Sequence, residues 1–151
     1  MRISESVVVP APPPTVFAHV ADLTAYPAWL GLVHTAEALP LSVGERPAWS
    51  VELRARVGLF ARSKQLRMER SELVADRLVV FERAEVDDRR HARWALRAEL
   101  ESVEECSTRL TMHLAYDGAL WTGGLLERVL EDEIRRGRVG LVRLVNDGPT
   151  H

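Results

Sequence analysis

A single carboxylate, Glu133, falls on the apolar face of a helix that the sequence predicts for residues 122–146. At about 100° per residue, that face comprises Leu126, Leu130, Gly137, Leu141 and Leu144. A carboxylate that faces a core must be paired, be protonated or face a cavity. Glu133 is therefore a candidate ligand-orienting group or general acid–base residue. The alternatives are a buried structural salt bridge and a helix that is rotated so that Glu133 reaches water.

Two glycines, Gly137 and Gly140, lie near the same face of this helix. Glycine inside a helix costs about 0.5–1 kcal/mol relative to alanine, so a compensating reason is expected. Missing side chains either leave room for a ligand, which makes Gly137 a candidate binding position, or allow the helix to pack closely against its neighbours.

Approximate alternation of apolar and polar residues predicts six strands downstream of residue 31, at 32–38, 46–57, 61–73, 77–86, 91–102 and 107–117. A first strand is predicted at 2–9, followed by a helix at 15–21 after Pro12–Pro14 and a short helix at 24–30. One face of the strands is charged and the connections are short. We therefore expect an α+β domain with an antiparallel meander, whose dry face is covered by the long helix.

Bulky side chains gather on the predicted dry face and form a candidate ligand-binding set: Trp49, Met68, Trp94, Met112 and Tyr116, with Trp29 after the short helix. Aromatic rings with polar handles and adaptable methionines suit a pocket wall, and a plain hydrophobic core is the alternative. Glu82 joins this set if its strand turns Leu78 and Val80 inward. The neighbouring Val79 and Phe81 favour the opposite orientation of that strand.

Leu59 and Phe60 directly follow Gly58 in a predicted hairpin loop. Exposed apolar residues at such a turn are candidates for an entrance, a lid or a partner contact, and a local hydrophobic plug is the simpler reading.

Familiar catalytic signatures are absent from the sequence, including HExxH, Gly-x-Ser-x-Gly, the Walker loop and Gly-x-Gly-x-x-Gly. None of the five histidines is paired at metal-ligand spacing on a helix, and His113 falls on the predicted wet face. Acidic neighbours disfavour a thiolate at Cys106, the one cysteine. We therefore expect no metal and no cofactor.

The length of 151 residues predicts one domain over residues 1–151. The formal net charge is −2, and no apolar run is long enough to span a membrane. Arginines on the wet face are interleaved with glutamates, which argues against nucleic acid as a partner. No signal peptide is recognisable, and the default expectation is a cytoplasmic protein.

The opening segment VVVPAPPPTVFAHVADLTAYPAWL resembles the START-like helix-grip superfamily (SRPBCC), most closely its polyketide cyclase/dehydrase and lipid-transport branch. The resemblance rests on a strand at Val7–Val9, a proline-bearing helix start at Pro12–Pro14, an apolar helix ending at Asp22 and the segment Tyr26-Pro27-Ala28-Trp29. It implies a seven-stranded sheet curled around a long C-terminal helix, commonly with an apolar cavity between them.

The best-supported reading of the sequence is therefore binding of a small hydrophobic or aromatic ligand, of the lipid, polyketide or quinone type, with Glu133 and Tyr116 setting its orientation. An aromatase/cyclase or dehydratase that uses the same cavity is the first alternative. A protein-interaction module without a ligand, which makes contact through Leu59 and Phe60, is the second.

Overall fold

The computed structural model describes residues 2–57, 59–104, 106–117 and 125–147, and only the backbone of residues 57, 60, 125 and 126. The described elements are β1 (Arg2–Val9), α1 (Pro13–Val20), a 3₁₀ helix (Leu23–Ala28), β2 (Val33–Ala38), β3 (Ala48–Val57), β4 (Phe60–Val74), β5 (Leu78–Arg83), β6 (Trp94–Val103), β7 (Ser107–Tyr116) and α2 (Leu125–Asn146).

All seven strands form one sheet in the order β1-β7-β6-β5-β4-β3-β2, and each neighbouring pair is antiparallel. This confirms the fold expected from the alternation and from the family resemblance. Hairpin connections join β2 through β7, whereas β1 pairs with β7 at the far edge. The sheet therefore has an inner face that packs against the helices and an outer face that carries the charged residues.

Local sequence explains where the helices begin and end. Two prolines occupy the first turn of α1, where the missing backbone donors cost nothing, so the helix starts two residues earlier than expected. The Asp22 carboxylate accepts a hydrogen bond from the Thr24 backbone N–H at 2.8 Å and caps the 3₁₀ helix. The predicted start of the long helix, at residues 122–124, lies outside the described residues.

The apolar stripe of α2 faces the core as expected. Leu130, Ile134 and Leu141 are almost completely buried, Gly137 is buried beside them, and Leu144 is half-buried. The side chain of Leu126 lies outside the described residues. This helix therefore closes the inner face of the sheet.

Polar contacts fix α2 along the edge strand β1. The Arg135 guanidinium lies 3.0 Å from the Glu5 carboxylate, and Arg138 donates to the Val8 carbonyl at 3.0 Å. An edge strand presents unpaired backbone groups, and here the helix covers part of that edge. Because residue 135 lies near residue 5 and residue 138 near residue 8, α2 runs in the same direction as β1.

Candidate ligand-binding site

A row of large side chains crosses the inner face of the sheet from strand to strand. Tyr116 pairs with Trp94, and Met68 pairs with both Arg83 and Trp49. Arg83 lies one residue beyond the last pair between β5 and β6, which places it next to Trp94. The row therefore joins all five residues across β7, β6, β5, β4 and β3, and we call it the inner row.

The Trp49 end of the inner row is held by the 3₁₀ helix. The indole N–H of Trp49 lies 3.1 Å from both the Asp22 carboxylate and the Thr24 hydroxyl. The Arg70 guanidinium lies 5.8 Å from the centre of the Trp49 ring and donates to the Ala21 carbonyl at 3.0 Å. The polar atom of this indole is thus fully used in joining β3 to the 3₁₀ helix.

Two further aromatic residues lock the 3₁₀ helix to α1. Trp29 donates its indole N–H to the His19 carbonyl at 3.0 Å, and Tyr26 donates its hydroxyl to the Val20 carbonyl at 2.8 Å. Their ring centroids are 4.9 Å apart. Burial raises the pKa of Tyr26 far above its usual range, so the phenol stays protonated and keeps this bond.

Contacts with Trp29 also explain why two positions of α2 are glycine. A Cβ on Gly140 would lie 2.9 Å from the backbone of Trp29, and one on Gly137 would lie 3.2 Å from Leu30 and from the Trp29 ring. The space left by the missing side chains is filled by the protein. Close packing, which was the alternative reading, therefore accounts for both glycines, and contact between Gly137 and a ligand stays a prediction.

Trp94, at the other end of the inner row, differs from the other two described tryptophans. Its side chain is buried, with 6% of its surface exposed, and stacks on Tyr116 with ring centroids 5.1 Å apart and planes 22° apart. Its indole nitrogen is the one fully buried side-chain polar atom among the described residues that has no hydrogen-bond partner. An unpartnered buried donor costs about 1–3 kcal/mol, which makes this indole unusual within the inner row.

Tyr116 lies where β7 ends before α2 begins. Burial raises the pKa of its phenol, and the Glu127 carboxylate in the first turn of α2 raises it further. The phenol is therefore uncharged at neutral pH, with a carboxylate nearby.

Arg83 is the member of the inner row that the sequence analysis missed. Its side chain is only 9% exposed, forms a 3.1 Å ion pair with Glu85 and donates to the Ala92 carbonyl at 3.1 Å. The alternation within β5 could have predicted its position, because Arg83 lies on the same face of the strand as Val79 and Phe81, which are completely buried. The positive charge of Arg83 is balanced locally by Glu85.

Glu133 lies away from solvent, with 17% of its side chain exposed, as its helical position predicts. Its carboxylate is 3.4 Å from the Arg136 guanidinium, and a Cβ on Gly31 would lie 3.0 Å from it. Glu133 is thus a paired carboxylate between α2 and the start of β2. Its predicted role in orienting a ligand stays a prediction.

The remaining candidate residues fall in three places. Met68 and Met112 are buried on the inner face, as expected. Glu82 lies on the outer face, because β5 turns Val79 and Phe81 inward, so its assignment to the inner ligand-binding set was wrong. Leu59 is fully exposed at the β3–β4 hairpin, and the side chain of Phe60 lies outside the described residues.

The outer face carries an open concavity of about 800 Å³ in which three polar side chains form a chain. The Ser4 hydroxyl lies 2.7 Å from His113 Nδ1, and His113 Nε2 lies 3.3 Å from the Glu99 carboxylate. These are the residue types of a hydrolase triad. However, Ser4 lies directly opposite His113 in the β1–β7 register, and Glu99 lies on the strand next to β7, so sheet pairing alone brings the three side chains together. His113 is on the wet face as predicted, and we interpret the three residues as cross-strand pairs.

Neither a membrane helix nor a metal cluster is found in the part of the chain that the structure describes. No helix there is long and apolar enough to cross a membrane. No three histidine, cysteine or acidic side chains there converge as metal ligands do.

Comparison with known proteins identifies the family to which this chain is similar. Residues 1–146 match a family model described as polyketide cyclase / dehydrase and lipid transport. No curated protein matches the chain.

Solved structures with similar folds include a START superfamily protein and an aromatase/cyclase. A START superfamily protein from Mycobacterium smegmatis is 18% identical, with a TM-score of 0.73 over 96% of this chain and 97% of that one. The Zhui aromatase/cyclase from Streptomyces sp. R1128 is 15% identical, with a TM-score of 0.69 over 97% of this chain and 93% of that one. At such low identities the likeness establishes the fold.

Proposed function

Because the chain belongs to the polyketide cyclase/dehydrase and lipid-transport family, we propose that it binds a small hydrophobic or aromatic molecule between the inner face of the sheet and α2. The observation that carries this proposal is the buried indole N–H of Trp94, which has no acceptor among the described residues. Trp29 and Trp49 have theirs satisfied by the protein and hold the 3₁₀ helix in place. The ligand-binding end is therefore the Trp94–Tyr116 end of the inner row.

The surroundings of that end suit an apolar ligand. Leu96 and Leu114, the next inward residues of β6 and β7 after Trp94 and Tyr116, are buried, and Met112 is buried one inward position further along β7. Burial of ligand surface against such a wall contributes about 25 cal/mol per Å², and a flexible methionine adapts to the ligand's shape. Glu133 remains a proposed orienting group on the helix side, and Leu59 a proposed entrance residue.

A cyclase or dehydratase is the second candidate function, and the Tyr116 phenol favours it. A phenol kept protonated by burial and by Glu127 is able to hydrogen-bond an oxyanion during aldol closure or loss of water. A linear triketone incubated with the protein distinguishes the two candidates. A binding protein returns the triketone unchanged, whereas a cyclase-dehydratase returns a product lighter by one water.

Nuclear magnetic resonance of the tryptophan indole groups tests the binding proposal. We expect 2-ethylnaphthalene, titrated into ¹⁵N-labelled protein, to shift the indole signal of Trp94 saturably and to shift those of Trp29 and Trp49 less. Tryptophan-to-phenylalanine variants assign the signals. Absence of saturable binding, or shifts confined to exposed residues such as Leu59, would refute the proposal.

A further inference from the structure

We propose that the Trp94 indole N–H determines ligand specificity, by selecting an uncharged ligand that carries an oxygen acceptor such as a ketone. This inference rests on the proposed binding function and names the chemistry that the site recognises. The donor is identified by comparison within the chain: three buried aromatic residues donate to the protein, and Trp94 does not.

The position of Trp94 gives the donor a defined direction. Its ring is held between strands by stacking on Tyr116, and Arg83 lies beside it on the neighbouring strand. A rigid, desolvated donor discriminates strongly, because a ligand that lacks the acceptor leaves the N–H unpartnered. A hydrocarbon of the same shape gains only apolar burial.

Enclosure of the donor limits the size of the effect. The indole nitrogen has almost no accessible surface, so an acceptor reaches it by displacing a neighbouring side chain. Part of the hydrogen-bond energy offsets that displacement. We therefore expect a selectivity of about five- to tenfold, which is the range of one net hydrogen bond.

The charges around the site favour an uncharged acceptor. The one cation of the inner row, Arg83, is already paired with Glu85 at 3.1 Å. Glu127 adds a negative charge close enough to raise the pKa of Tyr116. A carboxylate ligand would be desolvated there and would meet net negative charge, whereas a ketone meets neither penalty.

Three naphthalenes of nearly equal shape test the inference: 2-acetylnaphthalene, 2-ethylnaphthalene and 2-naphthoate. We expect 2-naphthoate to bind the native chain at least about tenfold more weakly than the ketone, because its charge must be desolvated. The decisive quantity is the ratio of ketone affinity to hydrocarbon affinity, compared between the native chain and Trp94→Phe. This comparison cancels the difference in aqueous solubility of the two probes. We expect the ratio to fall by about five- to tenfold in the variant.

Trp49→Phe is the matched control, because it removes an indole N–H that the protein already satisfies, and it should leave the ratio within about twofold. An unchanged ratio in Trp94→Phe would overturn the inference while hydrocarbon binding upheld the proposed function. Failure of every probe to bind would refute both. If Trp94→Phe does not fold, the native chain still decides: at saturation the Trp94 indole proton must lie further downfield with the ketone than with the hydrocarbon, and equal positions would overturn the inference.

Discussion

Replacing Gly140 by alanine tests whether α2 is packed against Trp29 or leaves room there. The added Cβ would lie 2.9 Å from both the Cα and the carbonyl oxygen of Trp29, which are backbone atoms that cannot rotate away. Overpacking of this kind costs about 1–3 kcal/mol, and the higher helix propensity of alanine offsets about 0.8–1 kcal/mol. Because both close contacts are with backbone, the cost should lie in the upper half of that range, so we expect Gly140→Ala to lower the free energy of unfolding by about 1–2 kcal/mol.

Urea denaturation followed by circular dichroism measures this loss as a lower midpoint with an unchanged slope. Gly31→Ala is the control, because its new Cβ would meet only the Glu133 carboxylate at 3.0 Å, the end of a flexible side chain. Its effect should be smaller than that of Gly140→Ala. A Gly140→Ala protein as stable as the native chain, or more stable, would refute the close packing and restore the idea that the glycines leave room for a ligand.

Two carboxylates give further predictions. Glu133→Gln should change the free energy of unfolding by less than about 0.5 kcal/mol, because its partner Arg136 is 73% exposed. It should change the free energy of ligand binding by more than that. Chemical denaturation measures the first quantity and calorimetric titration the second, and a variant that unfolds would identify a structural ion pair. Glu99→Gln tests pH dependence, since the Arg97 guanidinium, with a smaller contribution from His113, holds the pKa of Glu99 below its usual value. A pKa lowered by folding contributes stability above the unfolded-state value and loses it as pH falls through the folded-state value. The native chain should therefore exceed Glu99→Gln in stability at neutral pH, and the difference should vanish in acid; a difference that persists there would contradict the pairing.

The strands and helices themselves were predictable because they depend on local signals. Alternation of apolar and charged residues defines the strands, and Pro12–Pro14 define the start of α1. The same signals fail within β5, where Leu78, Val79, Val80 and Phe81 are all apolar and either face can turn inward. Pairing of Val79 with Ala98 and of Phe81 with Leu96 settles the orientation, and that register is a property of the folded sheet.

Which buried tryptophan has a hydrogen-bond acceptor was not predictable either, because that also depends on contacts made only in the folded chain. Trp49 and Trp94 both occupy inward positions on alternating strands, and the sequence gives no reason to separate them. The acceptors of Trp49 lie 25 and 27 residues away, on the 3₁₀ helix. Whether a buried donor is satisfied is decided by such long-range contacts, so only the folded structure separates the satisfied indole of Trp49 from the unsatisfied indole of Trp94.

These contacts make the two ends of the inner row unlike. Where Gly137 and Gly140 let α2 approach Trp29, backbone and side-chain contacts fill the interface, and Trp49 is bonded to the 3₁₀ helix. Where α2 begins, Trp94 keeps an unsatisfied donor beside Tyr116. A protein that closed both ends equally well would gain the hydrogen bond that Trp94 lacks. Close packing at Trp29 fixes the helix on the sheet and offsets the cost of the unsatisfied donor at Trp94, and functional sites are where such a cost is expected.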